Sequence, residues 1–449
     1  MTSVTNMNGI TRRELFQTAA GVGVGVATTA VLPDPAEARS VTAAETMHNV
    51  PFEKRDTVRI GFIGLGGRGS GLLGDLLALD GVRIHAVCDL VTERAQNGAA
   101  RAEQAGMGRP EVYGGSETIY KKLCERDDLD LIYIATPWDW HVPMAVAAME
   151  HGKHAAVEVP AATTLDECWK LVDTSEKTRR HCLILENCCF GWSEMLVRNM
   201  VRAGRFGQLT HGEAAYIHNL RGLLLADSGE GLWRRFPHIK RNGNLYPTHG
   251  LGPVAQYMEI HNGDRFELLV AMSSREASLT EYRDAHLPAD SPKRKEKYLC
   301  GDMNTSLIRT ALGRTILLQH DVVTPRPYSR INMIAGTKGT FCDYPPRIHL
   351  DGQPGGEEWA SLDTHKAQYE DRLWTNMGEL ARKRGGHGGM DFLMNYSVIR
   401  WMREGLAPEM DVYDAAAWSA PGPLSDLSVA RGSLPIKFPD FTRGHWRKA

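Results

Sequence analysis

"TVRIGFIGLGGRGSG", residues 57–71, decides how this chain begins to fold. Its first half is an apolar, β-branched run. It breaks into Gly64-Leu65-Gly66-Gly67-Arg68-Gly69, a G-x-G-x-x-G series with the helical pattern "LLGDLLAL" behind it. A strand that runs straight into glycines and then a helix is the entry to a dinucleotide-binding βαβ unit. The glycines permit a tight turn and close backbone approach, and a pyrophosphate rests on the helix N-terminus. Alone the motif is weak, because a glycine-rich turn that binds no nucleotide reads the same way. The next strand strengthens it: "RIHAVCDL" ends at Asp89, 23 residues after Gly66, where an acid binds the adenosine ribose hydroxyls. A carboxylate there repels a 2′-phosphate, so NAD is the expected cofactor. Arg68 is the loop residue able to soften that preference.

The βαβ rhythm continues. "DLDLIYIATP", 128–137, reads as a buried parallel strand running into "WDWH", 138–141, and the helical "HVPMAVAAMEHG" follows. "HAAVEVPAA", 154–162, carries Glu158, and "HCLILENCC", 181–189, carries Glu186 and Asn187. Ligands of open parallel sheets lie beyond the carboxyl ends of the strands. Trp138, His141, Glu158 and Asn187 all fall at such ends. Each alone is equally well explained as structural; together they outline a pocket rim.

Beyond residue 190 the pattern changes to period two. "LTHGEAAYIHNLR", "RFELLVAMSSR", "TSLIRTALGRTILLQHDV" and "RINMIAGTKGTFCDY" alternate like antiparallel strands, with "ALGRT" and "GTKGT" as hairpin turns. The expected architecture is α/β followed by α+β. A dinucleotide-binding domain spans 56–190, and a substrate and oligomerisation domain built on an open antiparallel sheet spans 191–449. Within the second half, "NLYPTHGLGP", 244–253, looks like a rigid turn presenting Tyr246 and His249 for proton transfer. An imidazole suits that work near neutral pH. The alternative is a core histidine capping a helix.

The rest of the composition narrows the partners. The 449 residues carry a formal charge of −2, which gives no reason to expect nucleic acid or an anionic membrane. Residues 1–38 read as an export signal. Arg12-Arg13 precede a mild apolar stretch, 18–32, and Ala36-Glu37-Ala38 offers a cleavage site. Paired arginines indicate the twin-arginine route and a periplasmic destination; a disordered basic tail is the other reading. The eight cysteines show no metal-ligand spacing and are too sparse for a disulfide framework. The 17 histidines include no H-x-x-x-H pair, so no metal is expected.

From residue 57 onward the chain resembles the glucose–fructose oxidoreductase and inositol dehydrogenase superfamily, whose N-terminal domain is a Rossmann fold. One position departs from it. Sugar dehydrogenases of that type carry Glu-Lys-Pro where this chain has Glu158-Val159-Pro160, and valine moves no proton. A narrower resemblance accounts for the difference. "EVPAATTLDECWKLV", "ENCC", "GLWRR", "RNGNLYPTHGLGPV", "RPYSRINMIAGTKG" and "HGGMDF" together are similar to glycoside hydrolase family 109, the NAD-dependent α-N-acetylgalactosaminidases and their relatives.

That resemblance implies hydrolysis through transient oxidation, an exception to the usual pair of carboxylates. NAD⁺ takes hydride from C3 of the sugar, the C2 proton becomes acidic, the C1 substituent is eliminated, water adds and hydride returns. It also implies roles for residues. His249 and Tyr246 are catalytic; Tyr216, Arg234, Tyr246, Pro247, Thr248, His249 and Tyr328 contact the sugar. Gly64, Gly66, Gly67, Arg68, Gly69, Asp89, Trp138, Asp139, Trp140, His141, Glu158, Val159, Asn187 and Tyr246 contact NAD.

Structural readings stand beside these: Tyr216 as sheet packing, Arg234 as a surface ion-pair partner, Tyr328 packed on its neighbouring prolines, Glu158 as a helix cap. Phe190 stands where the family often has Tyr, which removes a phenol and puts the general acid in question. Asp391 receives no role. The implied partner is a glycan or glycoside bearing N-acetylhexosamine, and the superfamily habit is a homo-oligomer joined through the sheet's outer face. The competing functions are a periplasmic sugar oxidoreductase and a cofactor-binding protein without catalysis.

Overall fold

The computed structural model describes residues 45–447, so the expected export signal at 1–38 lies outside the described residues. The first six strands are β1 (Val58–Ile63), β2 (Val82–Asp89), β3 (Glu111–Gly114), β4 (Leu131–Ile134), β5 (His154–Val157) and β6 (Cys182–Ile184). They form one parallel sheet in the order β3-β2-β1-β4-β5-β6. This is the doubly wound order, and its strands are apolar on both faces because helices cover both. Every residue of β4, β5 and β6 is buried. One connecting helix, Leu165–Thr178, is fixed by a capping box in which Thr164 and Glu167 satisfy each other's backbone amides.

The remaining strands are β7 (Leu209–Ile217), β8 (Phe266–Ser273), β9 (Asn304–Thr310), β10 (Thr315–Asp321), β11 (Met333–Gly336), β12 (Gly339–Cys342), β13 (Arg347–Leu350), β14 (Ala360–Ser361) and β15 (Ile436–Lys437). Their order is β14-β13-β12-β11-β7-β10-β9-β8-β15. The expected open antiparallel sheet is present with one parallel pair inside it: β7 and β10 run parallel, with Tyr216 opposite His320. The reason is the excursion after β7. The chain leaves the sheet for residues 218–265 and re-enters at β8; the β8-β9-β10 meander then returns beside β7 in the same sense.

That excursion ends in the helix Thr248–Tyr257, which lies against β7. A Cβ on Gly250 would stand 2.4 Å from the Ala215 amide nitrogen, so only glycine lets helix and strand backbones touch. The last third of the chain returns to the Rossmann sheet. The helix Met390–Glu404 packs on Gly67–Leu76, and Val412–Ser419 packs on β6 and Leu165–Thr178. These contacts place residues of both halves around the carboxyl ends of β1, β4, β5 and β6. Among the described residues no helix is long and apolar enough to cross a membrane.

Candidate active site

The loop after β1 is built for close approach. Gly64 has φ +91°, and a Cβ there would lie 2.5 Å from the Ala135 carbonyl oxygen. A Cβ on Gly69 would meet the Gly64 oxygen at 1.8 Å, so this glycine seats the helix on the strand. A Cβ on Gly67 would meet nothing, and on Gly66 only the tip of Arg94 at 4.0 Å, so these two leave an open cradle at the helix start. Gly66 caps that helix without a side-chain partner, which leaves amides facing the cradle. Asp89 braces the loop: its carboxylate accepts from the Leu65 and Val91 amides at 2.7 and 2.8 Å. The residues therefore fit a dinucleotide, with pyrophosphate over Gly66-Gly67 and ribose hydroxyls at Asp89.

Arg68 corrects one expectation. Its guanidinium points inward, donating to Glu158 Oε1 at 2.7 Å and Asp391 Oδ2 at 2.6 Å, rather than toward Asp89. The cation beside Asp89 is instead Arg94, at 4.0 Å. Asp391 is the hub of this network. It also accepts from Asn187 Nδ2 at 2.7 Å and binds His387 Nδ1 at 2.9 Å. Against its burial, His387 and Arg68 hold the Asp391 carboxyl far below the ordinary carboxylate range.

Residues 138–141 divide. Trp138 is buried and faces the second half of the chain. Its ring lies 5.2 Å from Trp233 and 5.8 Å from Tyr246. Asp139 is exposed, and Trp140 packs on Tyr120 with ring centres 6.2 Å apart. His141 is held between the Pro160 and Thr136 carbonyls, each at 2.8 Å, which uses both ring nitrogens within the fold. Val159 is buried in the apolar core.

The expected rigid turn at 244–253 is the start of a helix. Pro247 is its N-cap residue and Thr248 its first member, and the Leu251 amide donates back to Pro247. The first turn presents Tyr246 and His249 on one side, with ring centres 4.9 Å apart. Around them gather Tyr216, 4.6 Å from Tyr246, and Tyr328, 6.3 Å from Tyr216. The Arg234 guanidinium lies over Trp138 at 5.3 Å and over Tyr246 at 4.7 Å, and it pairs with Glu230. Tyr216, Arg234, Tyr246, His249 and Tyr328 thus share one aromatic site. Tyr328 is 40% exposed at its mouth, facing His218 and Tyr216. Pro247 and Thr248 contribute through the backbone path.

Electrostatics assign parts to the central pair. Glu186 is completely buried, and its Oε1 lies 2.7 Å from His249 Nδ1. Burial raises the Glu186 carboxyl, but the His249 contact, with help from the Cys188 amide, brings it below its usual value. A carboxylate only accepts, so Nδ1 carries a ring hydrogen and Nε2 is the nitrogen left for proton exchange. That Nε2 lies 3.5 Å from the Tyr246 hydroxyl. Burial holds the Tyr246 phenol well above its ordinary value despite Arg234. Tyr246 therefore keeps its proton, and His249 is the group able to take one. Gly252 makes the pairing possible: a Cβ there would crowd Glu186 Cγ at 2.9 Å.

The sequence pattern puts Glu186 on its strand and gives it no part in the site. The available signal was its place at the end of the strand, one residue before Asn187. His387, Trp233 and His218 were likewise missed, since contacts between distant segments assemble them. His218 binds the Tyr216 hydroxyl at 3.0 Å, and its imidazole is held low by burial, Arg234 and other nearby histidines. Glu186, Cys188 and His249 also place three potential metal-ligand atoms within 4.8 Å of one another, a cluster with no sequence spacing to announce it. Phe190 packs in the core near Trp401, and its carbonyl accepts from Trp374.

Comparison with known proteins gives the family of both halves. Residues 190–448 match the family model described as glycosyl hydrolase 109, C-terminal domain. Residues 58–185 match the oxidoreductase family, NAD-binding Rossmann fold. A glycosyl hydrolase family 109 protein of Solibacter usitatus is 55% identical over 445 residues, covering 98% of this chain and 99% of the relative. One from Saccharopolyspora erythraea is 48% identical, covering 98% and 96%. Among solved structures, levoglucosan dehydrogenase in complex with NADH and levoglucosan superposes with TM-score 0.66 at 18% identity, covering 86% of this chain and all of that one. An inositol dehydrogenase homologue from Azotobacter vinelandii, complexed with NAD⁺, gives TM-score 0.60 at 15% identity over 86% of this chain and 99% of its own. These structural likenesses concern the fold. The chain belongs to glycosyl hydrolase family 109, and its Rossmann domain takes NAD as cofactor.

Proposed function

From family membership as premise, we propose that the enzyme removes terminal, α-linked N-acetylgalactosamine from glycans. The route would be oxidation at C3, loss of the C2 proton with the C1 substituent, addition of water and re-reduction. The observation that carries this reading is the buried Glu186–His249 pair at 2.7 Å, in a chain that has Val159 where a sugar dehydrogenase has its lysine. Bound NAD supplies a hydride acceptor for C3 and gives the hydride back at the end of the turnover.

The chain's own residues handle the protons. His249 Nε2 accepts the C3 hydroxyl proton, and Glu186 stabilises the imidazolium that forms. Tyr246 keeps its phenol hydrogen and donates toward the same oxygen. Arg234, Tyr216 and Trp138 hold the sugar's position, and Tyr328 closes the mouth. His387 stands on the solvent side, 52% exposed at its side chain with Nδ1 held by Asp391. Its free Nε2 takes the proton released from C2 and passes it to the leaving oxygen, then takes one from the entering water and returns it to C2. Asp89 repels a 2′-phosphate, which supports NAD over NADP.

The test is turnover of p-nitrophenyl α-N-acetylgalactosaminide in D₂O without added cofactor, followed by NMR of the released sugar. Deuterium at C2 is expected. Hydrogen retained at C2 would mean displacement at C1 and would remove the oxidative route; oxidised product without nitrophenol would make the protein a sugar oxidoreductase. Two further parts belong to this proposal. The paired arginines at 12 and 13 direct export to the periplasm, which fractionation of wild-type and Arg12→Lys/Arg13→Lys cells checks. A second copy covers the apolar outer strip of Val270, Leu307 and Leu317; light scattering of Leu307→Glu is expected to show monomers.

A further inference from the structure

At the amino edge of the Rossmann sheet, opposite the cofactor cradle, lies a polar pocket of about 240 Å³. Its walls come from neighbouring strand starts: Arg59 in β1, Asp130 before β4, Lys153 and His154 at β5, and Arg180 before β6. Arg55 completes the rim. Four cations thus face two carboxylates, Asp127 and Asp130.

Those carboxylates do not neutralise the pocket. Asp130 is gripped by Arg59, which donates Nε to Oδ2 at 2.9 Å and Nη2 to Oδ1 at 2.7 Å. Arg55 turns outward to Glu53 at 2.7 Å, with Asp130 at 3.6 Å. Lys153 is 4% exposed, and its ammonium donates to the His151 carbonyl at 2.6 Å; Asp127 and Asp128 attract it from beyond ion-pair distance. Arg180 Nε is buried with no hydrogen-bond partner. Arg180 lines the pocket, and its guanidinium makes no hydrogen bond or ion pair with any described side chain, so its outer N–H groups are left for an anion. The surrounding groups register the same excess of charge. His154 is held well below its ordinary value by burial first and then by His181, Arg180 and Arg55.

We infer that this pocket binds a tetrahedral dianion, a phosphate or sulfate group, with Arg180 and Lys153 as its principal donors. The planar fork of arginine fits two oxygens of such a group, and a lysine adds a point charge. The group is either a free ion or an ester on a sugar. The site lies across the sheet from the catalytic residues, so its occupancy is separable from turnover.

Isothermal titration of the full, NAD-loaded chain decides it, at pH 7 and fixed ionic strength balanced with chloride. The titrants are inorganic phosphate, inorganic sulfate and N-acetylglucosamine 6-sulfate. Saturable 1:1 binding is expected, weakened about tenfold or more by Arg180→Gln, equivalent to about 1.4 kcal/mol. Arg55→Gln, at the rim, provides a second variant that leaves the buried residues in place and is expected to weaken binding less. Tighter binding of the sugar ester would identify a carried group, and equal binding a free ion; either keeps the site. No saturable heat with any titrant, or unchanged affinity in both variants, would overturn it.

Discussion

His249 and His387 each give one ring nitrogen to a carboxylate, at 2.7 Å to Glu186 and 2.9 Å to Asp391. Glu186 has no exposed surface and stands 63 residues away in sequence, so the pair forms only when the Rossmann half meets the sheet half. His387 sits four residues before its partner on a glycine-rich helix start, with 52% of its side chain in solvent. The shared device fixes the tautomer and leaves Nε2 free. What differs is the medium. His249 is enclosed by Tyr216, Tyr246 and Glu186, whereas His387 stands open to water. On the proposed route the inner pair serves the oxidation and the outer one bond cleavage and hydration.

The strongest way to break this division is His249→Asn. Loss of the inner base is expected to lower turnover about 10³-fold, within the usual range for general bases. NAD released on denaturation stays near one per chain. Glu186→Gln is expected to fall between that variant and the parent, because an amide no longer enforces one tautomer. An unaffected Glu186→Gln would show the inner carboxylate to be mere packing.

The next effect concerns stability. Arg68 bridges Glu158 and Asp391, whose side chains are 9% and 6% exposed. Arg68→Met leaves two buried carboxylates facing each other, and urea unfolding is expected to show a loss of about 3 kcal/mol. Adding Glu158→Gln to that variant recovers part of the loss. Failure to recover would mean that Arg68 acts through packing alone.

His387→Ala sharpens the outer half of the comparison. A general acid matters most when the leaving group is poor. An alkyl N-acetylgalactosaminide is expected to lose about 10²-fold in turnover and the p-nitrophenyl glycoside about tenfold or less. Equal losses on both would take His387 away from the leaving oxygen.

The same contrast explains what could be read in advance. The Rossmann half was legible because its signals are local: a strand, glycines and a helix within 57–76, then an acid at a fixed spacing. Tyr216, Arg234, Tyr246, His249 and Tyr328 were legible as motif residues, and the structure brings them together. Glu186 and His387 were not, because nothing near them in sequence names their partners. The parallel β7/β10 pair was hidden for a related reason: alternation shows that a segment is a strand but not which way its neighbour runs. Asp139, Trp140 and His141 show the converse, where a motif run is taken whole although its side chains point to different places.

The smallest predicted effect tests how far the outer network's charge reaches. Asp75, in the helix Gly67–Leu76, is buried beneath Asp391 and receives one long hydrogen bond from Asn395 at 3.4 Å. Burial first, and the charge of Asp391 second, push its carboxyl up to about 6, against the pull of Arg68. An unfolded aspartate titrates near 4, at about 3.9. The folded chain therefore holds this proton more tightly than the unfolded one, and the resulting stabilisation is full below about pH 4. It is lost as pH rises through about 6, where the fold must carry a buried carboxylate beside another. Asp75→Asn removes the charge and keeps the shape. Urea unfolding is expected to show a gain of about 1–2 kcal/mol over the parent at pH 8 and none at pH 4. In an Asp391→Asn background the gain at pH 8 shrinks, because one of the two causes is gone. A gain of equal size in both backgrounds would mean that burial alone raises Asp75, and that the charge gathered around His387 ends at Arg68.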